Sequence, residues 1–253
     1  TKDRPGQAAT RLERQADALL LNGCKRHVRP GAGADGYIVS ATNPQGLVLV
    51  WVPADASGLT LSSQPLADGS YAAQLNLNSV RLPASHLLAE GAAAAAALTR
   101  AYDETLVLAS VELLALVRSM LTMTQDYLRT RIQFGKPIGS FQSLQHRTVD
   151  LLIQQELTAS VVTQALALLD DPAADASARS ALASRVKSRA SDAGLQVARE
   201  AVQLHGAIGV TDEYDLGLYL QRALVLAAWL GNGNQQRRRY ANLTQNATAQ
   251  EHA

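Results

Sequence analysis

The stretch Gly91-Ala92-Ala93-Ala94-Ala95-Ala96-Ala97 divides the chain into two kinds of sequence. Alanine has the best helix propensity, so the run predicts a helix that continues to about Arg131. Upstream, residues 1–90 alternate apolar with polar side chains between turn signals, the pattern of half-buried strands. Ala18-Leu19-Leu20-Leu21 runs into Asn22-Gly23, a dipeptide that favours hairpin turns because both residues tolerate positive φ. Tyr37–Ser40 and Leu47–Val52 flank a turn at Pro44 to Gly46, and Ala73–Asn78 alternates strictly.

Downstream the punctuation is that of helices. Gly135-Lys136-Pro137 breaks the first, and Ser140 suits the N-cap of a second that runs to about Leu169. Asp170-Asp171-Pro172 separates it from a third, about Asp175 to His205, which stops at Gly206, where glycine suits a left-handed cap. Thr211 caps a fourth helix ending near Trp229. The loop Gly231-Asn232-Gly233-Asn234 precedes a short helix from Gln235 to Leu243. Four long helices in succession predict an antiparallel bundle. The expected fold is α+β: an antiparallel β domain over 1–90, then a C-terminal four-helix bundle over 91–253.

Composition narrows the function. In 253 residues, 23 Lys and Arg against 22 Asp and Glu give a net charge of +1, which argues against a strongly basic nucleic-acid binder. Aromatic residues are 4% of the chain although 47% is hydrophobic, so the apolar mass is Ala, Leu and Val, which suits packed helices. Charged residues are 18%, below the usual ~25%, as expected of a surface partly covered by partner subunits or missing polypeptide. A single cysteine, Cys24, allows no intrachain disulfide and fits a reducing compartment. No uninterrupted apolar run of about 18 residues is present, so no membrane span is expected. Thr1-Lys2-Asp3-Arg4-Pro5 lacks both Met and an apolar core, so the chain reads as a fragment or trimmed product without a signal peptide. The expected location is cytoplasmic.

Several motifs carry little. Gly31-Ala32-Gly33-Ala34-Asp35-Gly36 has the dinucleotide-loop spacing, but a strand follows where that loop needs a helix, so it reads as a plain turn. Arg237-Arg238-Arg239 has no interleaved aromatics and reads as a solvated face. His27, His86, His146, His205 and His252 form no metal-ligand spacing, and no nucleophilic serine motif is present. Two glycine-punctuated loops between helices say more: Arg129-Thr130-Arg131-Ile132-Gln133-Phe134-Gly135-Lys136-Pro137, and Gln203-Leu204-His205-Gly206-Ala207-Ile208-Gly209-Val210-Thr211-Asp212-Glu213. Each offers groups that hold phosphate or a polar cofactor: a guanidinium fork, carboxamides, and free backbone N–H groups. Taken alone, each is more often a simple connection; two such loops in one bundle point to a shared anionic ligand.

Together these loops resemble the acyl-CoA dehydrogenase family. The run R-x-Q-F-G-x-P-I-x-x-F-Q-x-x-Q-H, here Arg131 to His146, is similar to its most recognisable stretch, and Q-x-H-G-x-I-G-x-T-x-E, Gln203 to Glu213, to its flavin loop. Asn22-Gly23-Cys24-Lys25, Ala34-Asp35 and Val39-Ser40-Ala41 resemble its middle β domain. The likeness extends to about Ala241; the family's N-terminal helical domain has no counterpart here. The resemblance implies FAD as cofactor and oxidation of an acyl-CoA substrate to the trans-2-enoyl-CoA. A carboxylate abstracts the α-proton and the β-hydrogen leaves as hydride to flavin N5. It further implies that Arg131 pairs with the FAD pyrophosphate and that Gln133 and Phe134 line the adenosine side. Gln203, Gly206, Ala207 and Gly209 would meet a neighbouring subunit's FAD, and an electron-transfer flavoprotein would accept the electrons. Arg131 has a second reading, a cation complementing a helix C-terminus.

The catalytic carboxylate has two family positions. One, after the fourth helix, is occupied here by Leu230, which accepts no proton. The other lies on the first bundle helix, where Glu104-Thr105-Leu106-Val107-Leu108-Ala109 resembles E-R-L-V-L-A. Glu104 shares a helical face with Leu108, Val111 and Ala115, an environment suited to a raised-pKa base. An ion pair with Arg100 is the alternative. The family's K-x-W-I-T run beside the flavin ring reads Lys25-Arg26-His27-Val28-Arg29, and its second loop glycine is Ala207. Such departures resemble the divergent subunits of heterotetrameric (α2β2) bacterial enzymes acting on sterol side chains, bile acids or other bulky acyl-CoAs. A homologous companion subunit is therefore expected. A catalytically silent structural subunit and a flavin monooxygenase on the same fold are the alternatives.

Overall fold

The computed structural model describes residues 8–15 and 17–251; Thr1–Pro5 and His252 lie outside them. Two compact units meet at Tyr102/Asp103.

The first is a seven-stranded sheet: β1 Arg11–Gln15, β2 Ala18–Val28, β3 Gly36–Asn43, β4 Gly46–Pro53, β5 Leu59–Pro65, β6 Tyr71–Pro83 and β7 Leu87–Glu90, in the order β5-β6-β2-β1-β3-β4-β7. Neighbours are antiparallel except β1 and β3, which pair in parallel through Arg11 and Thr42, so the sheet is mixed where an antiparallel one was expected. Alternation reports which face of a strand is buried, not its direction. Leu12, Leu21, Val39, Val48, Val50, Leu75 and Val80 form the core.

Asn22-Gly23 makes no hairpin. β2 passes through it, with a register shift against β6 between Leu21 and Gly23. Gly23 sits at φ 147, and a Cβ there would lie 2.8 Å from the Thr10 Cα, so close backbone approach requires this glycine. Asn22 Oδ1 instead accepts the Ser79 N–H at 2.7 Å. The Gly31–Gly36 segment is the connection from β2 to β3, followed by a strand as its sequence indicates.

The long helix α1, Gly91–Thr130, starts where composition changes. Its first turns belong to the sheet unit, where Ala94 packs with Leu47 and Leu49 of β4. This is why the boundary between units lies inside the helix rather than at its start. By composition, α1 contains an 18-residue window (mean hydropathy 1.8) apolar enough to cross a membrane, and half of that window is buried in the protein.

The second unit continues α1 and adds α2 Gln142–Asp170, α3 Ala176–His205, α4 Leu216–Ala228 and α5 Gly233–Glu251. α3 packs against α2, α4 and α5. Its buried face is small: Ala183, Ala190, Ala193, Gly194, Ala198 and Ala201. A Cβ on Gly194 would already press to 3.0 Å of a Leu113 methyl. Asp175 caps α3 by accepting the Ala178 N–H at 2.8 Å, and Gly206 ends it at φ 64.

Two caps differ from expectation. Ser140 lies in a 3-10 turn, its hydroxyl donates to the Pro137 carbonyl at 2.8 Å, and α2 begins after Phe141. Thr211 likewise donates to the Ile208 carbonyl, and α4 begins only at Leu216. Both hydroxyls close 3-10 turns that precede the helices; a serine or threonine serves such a turn as readily as a cap. The terminal helix is also longer than its sequence pattern suggests.

Among the described residues, two charged groups are buried in this unit. Asp103 is fully buried; Arg239 Nη2 donates to its Oδ1 at 2.6 Å and Ser180 Oγ to its Oδ2 at 2.5 Å. Arg239 Nη1 also donates to Ser184 Oγ at 2.7 Å. Arg237 pairs with Asp192 and Ser188. Arg239 is therefore structural, whereas Arg237 and Arg238 are exposed, as expected of a solvated face. Lys187 is also fully buried, and its ammonium donates to Ser191 Oγ at 2.9 Å and to the Ala227 and Gly231 carbonyls at 3.2 and 3.3 Å. It thus gathers carbonyls at the C-terminal end of α4, where a cation is favourable. Desolvation lowers its pKa to about 8.

Asp103→Ala would leave the Arg239 guanidinium without its buried counter-charge and is expected to cost about 3–5 kcal/mol in urea unfolding, and the double variant Asp103→Ala/Arg239→Met less. Lys187 binds its proton more weakly folded (about 8) than unfolded (10.5), so between these values the unfolded chain holds more protons and stability rises with pH. Relative to Lys187→Met, the wild type should gain stability, on the order of 3 kcal/mol, from pH 8 to 10.5. A difference in unfolding free energy that stays flat over that range would refute the assignment.

Candidate functional site

The segment that follows α1 is a tight hairpin. β8, Ile132–Gln133, pairs with β9, Lys136–Pro137, across Phe134-Gly135. Both turn residues have positive φ, 53 and 78, the geometry that two-residue hairpins require. Phe134 pays for that geometry with backbone strain, and its ring is 90% exposed at the tip, edge-on to Phe141 at 6.0 Å. Lys136 Nζ stands 4.3 Å above the Phe141 ring. Arg131 and Gln133 are exposed, and the Arg131 N–H donates to the Tyr127 carbonyl at 2.9 Å, continuing the helical hydrogen bonding of α1 by one residue. The guanidinium of Arg131 has no carboxylate partner among the described residues. Gln133 Nε2 donates to the Ile132 carbonyl.

The second loop is a 3-10 turn over Gly206–Val210. Gln203, Gly206 and Ala207 are exposed. Gly206 has open space where a Cβ would stand, whereas Gly209 is buried and a Cβ there would lie 2.9 Å from the Val202 carbonyl oxygen. Gly209 is thus glycine for packing, and Gly206 for its φ of 64. The Ala207 methyl lies on the exposed side.

The two loops occupy the same end of the unit. His205, the last residue of α3, stacks on Tyr127 of α1 with ring centroids 4.6 Å apart, and meets Tyr214 at 4.9 Å on its way into α4. Its Nδ1 lies 2.8 Å from the Ala201 carbonyl, and its Nε2 is buried without a hydrogen bond. Burial lowers its pKa against the opposing pull of the Ala201 and Met123 carbonyls. Burial also raises the pKa of Tyr214, with the charge of Asp126 second. Sequence reasoning passed over this cluster. Its signal was an aromatic residue four positions before Arg131 and a histidine just before the loop glycine.

Glu104 is elsewhere. It is half-buried on α1, one residue after the buried Asp103. The face expected to be apolar and buried is apolar but open: Leu108 is 61% exposed and Ala115 is exposed. From Glu104 to Arg131 is 27 residues of almost unbroken helix, about 40 Å at 1.5 Å per residue. The candidate base and the two loops therefore lie too far apart for one dinucleotide to touch both within one chain. The turn at Leu230, φ 57, is held by Gln236 Nε2 on the Leu230 carbonyl at 2.6 Å and by Lys187 on Gly231.

In the sheet unit, Lys25 Nζ donates to Ser40 Oγ at 3.0 Å. A bulge separates Lys25 from Val28, and His27 sits at φ 57. Arg26, His27, Gln64 and Gln74 line a small polar hollow of about 190 Å³. The donor chemistry of the two loops suits an anionic, extended cofactor: an available guanidinium, carboxamides, and a glycine with open space beside it. The Lys25–Arg29 run, by contrast, is bulged and carries no tryptophan.

Comparison with known proteins identifies this arrangement. Residues 95–243 match the family model described as acyl-CoA dehydrogenase, C-terminal domain. Over 54% of the chain, 39% of residues are identical to acyl-CoA dehydrogenase IpdE2 of Mycolicibacterium smegmatis, covering 41% of that protein. Over 92% of the chain, 26% are identical to the short-chain-specific acyl-CoA dehydrogenase of Megasphaera elsdenii, covering 62% of it. Among solved structures, the Tcur3481–Tcur3483 steroid ACAD G363A variant superposes with a TM-score of 0.84 at 29% identity, over 96% of this chain and 64% of that one. The ChsE4–ChsE5 complex of Mycobacterium tuberculosis gives 0.81 at 26%, over 94% and 63%. The chain thus spans roughly two fifths to two thirds of the length of these relatives. With the matched family domain covering α1 to α5 and the β unit preceding it in the same order, the chain belongs to the acyl-CoA dehydrogenase family.

Proposed function

We propose that this chain is one subunit of an FAD-dependent acyl-CoA dehydrogenase whose complete active site needs a homologous companion subunit. The observation that carries the proposal is the distance along α1. Two loops fit for a diphosphate share one end of the helical unit, while the candidate base Glu104 is about 40 Å away. Loops and base on one chain would then serve different cofactor molecules, as they do when each cofactor lies between protomers.

Bound FAD would supply the acceptor for the β-hydride. Arg131 would meet its pyrophosphate through a bidentate fork, and Gln133 and the exposed Phe134 ring would lie along the adenosine. Gln203 and the amides around Gly206, Ala207 and Gly209 would contact the cofactor from the other loop. Glu104 would take the α-proton, which is weakly acidic beside a thioester, so the carboxylate must lie within hydrogen-bond reach and away from water. Electrons would pass to an electron-transfer flavoprotein.

Several features support a companion. α2 presents Val149, Leu152, Ile153 and Leu157, one helical face, to the exterior. Leu108 and Ala115 beside Glu104 are exposed as well. Two structural relatives carry paired names, Tcur3481–Tcur3483 and ChsE4–ChsE5, and the first is called a steroid ACAD. These names support a bulky acyl-CoA, such as a steroid side chain, as substrate class. His27 and Arg29 in the run beside the flavin ring support loss of one of two sites, with FAD retained at the heteromeric interface.

Absorbance of the purified complex tests the assembly: one FAD per pair of unlike subunits is expected, and one per subunit in a homomer would overturn the heteromeric reading. Glu104→Gln should keep the flavin and lower enoyl-CoA formation by about 10³-fold, in the range of a lost general base. An unchanged rate would move the chain to a silent, structural role. Product that depends on oxygen, rather than on electron-transfer flavoprotein, would indicate monooxygenase chemistry instead.

A further inference from the structure

We propose that His205 is a positioning residue that sets the two cofactor loops relative to each other, its ring in contact with both Tyr127 and Tyr214. The inference rests on the flavin reading of those loops, but its geometry does not. The three rings come from three chain segments. Tyr127 lies in the last turn of α1, and its carbonyl receives the Arg131 N–H at 2.9 Å, so its backbone fixes where the Arg131 hairpin leaves the helix. His205 closes α3 and directly precedes Gly206. Its own Cβ faces the site where a side chain on Gly209 would come within 3.0 Å, so the 3-10 turn is seated on His205. Tyr214 belongs to the turn leading into α4 and meets the imidazole at 4.9 Å, tilted by 45°.

The chemistry of the ring suits a clamp. A hydrogen bond from Nδ1 to the Ala201 carbonyl, 2.8 Å away, fixes the neutral ring's tautomer and plane. The flat imidazole then stacks at 4.6 Å and 26° on Tyr127. Burial lowers its pKa and so favours the neutral ring. The charged groups nearby, Asp126 and Asp215, act on Tyr214. Phenylalanine in place of His205 would keep both ring contacts and lose only the hydrogen bond; alanine would lose both contacts.

Two measurements on the flavin-loaded complex and on its flavin-free form test this. Histidine-to-alanine exchange, His205→Ala, should weaken FAD binding about tenfold, the scale of one or two aromatic pairs, while His205→Phe stays within about threefold of wild type. In the flavin-free protein, His205→Ala should speed amide exchange in 129–137 and 203–211 together, leave the middle of α2 unchanged, and be rescued in both segments by His205→Phe. Should His205→Ala not fold, Tyr214→Leu removes one wall of the clamp and must loosen the same two segments. A change confined to one loop, or a phenylalanine variant no better than alanine, overturns the proposal. A wild type that takes up no flavin removes the flavin reading alone, and exchange in the two segments still decides whether the clamp exists.

Discussion

The rise of one helix constrains everything else in this molecule. α1 runs for 40 residues, about 60 Å, without a break. Within the helical unit, what sits where α1 enters it cannot meet what leaves the end of α1. Asp103 and Glu104 lie near the unit boundary, and the Arg131 hairpin lies about 40 Å further along. A long uninterrupted helix stays rigid because each added residue contributes a hydrogen bond and its buried stripe packs continuously. Leu106, Leu113, Val117 and Met120 provide that stripe. Rigidity converts a sequence separation into a fixed distance, and that distance is what makes a second protomer a chemical requirement of the proposed reaction.

A second constraint is the small face of α3. Ala183, Ala190, Ala193, Gly194, Ala198 and Ala201 bring neighbouring helices close, which leaves little room for water. Charges placed there must find protein partners. Lys187 and the Asp103–Arg239 pair do so in opposite ways. The lysine uses only neutral oxygens, and its lowered pKa reports the desolvation they leave uncompensated. The aspartate has a full counter-charge and a serine hydroxyl besides. Both tie α5 and its preceding turn to α3, so the Leu230 turn is anchored by structural rather than catalytic groups.

Much of this was legible in sequence because it depends on local chemistry. The alanine run marks the start of α1, Asp175 and Gly206 mark the ends of α3, alternation marks β6, and apolar runs either side of a turn signal mark β3 and β4. The rest depends on tertiary partners that spacing does not show. Asn22-Gly23 has the chemistry of a hairpin, but Thr10 approaches so closely that glycine is needed within a strand. Ser140 and Thr211 close 3-10 turns where caps were expected. Arg239 looks like its neighbours in a basic run until Asp103, 136 residues earlier, is placed beside it. Of the candidate site, both loops and their glycines were readable, since they break helices. The Tyr127–His205–Tyr214 cluster was not, because stacked rings from distant segments leave no period in a sequence.

Glu104 shows how far one chain can carry a catalytic argument. A carboxylate becomes an effective base at neutral pH when its surroundings disfavour the charged form, and burial among apolar groups is the strongest way to do that. Its helical face has the right residues, Leu108, Val111 and Ala115, yet Leu108 and Ala115 are open to solvent. An apolar side chain left open beside a carboxylate offers a surface that a covering group would use. Whether acyl chain or companion polypeptide, the covering group would exclude water from the carboxylate at the moment the thioester arrives. The base would then be activated by assembly of the site rather than by the fold of its own subunit, which ties proton abstraction to the presence of substrate and partner together.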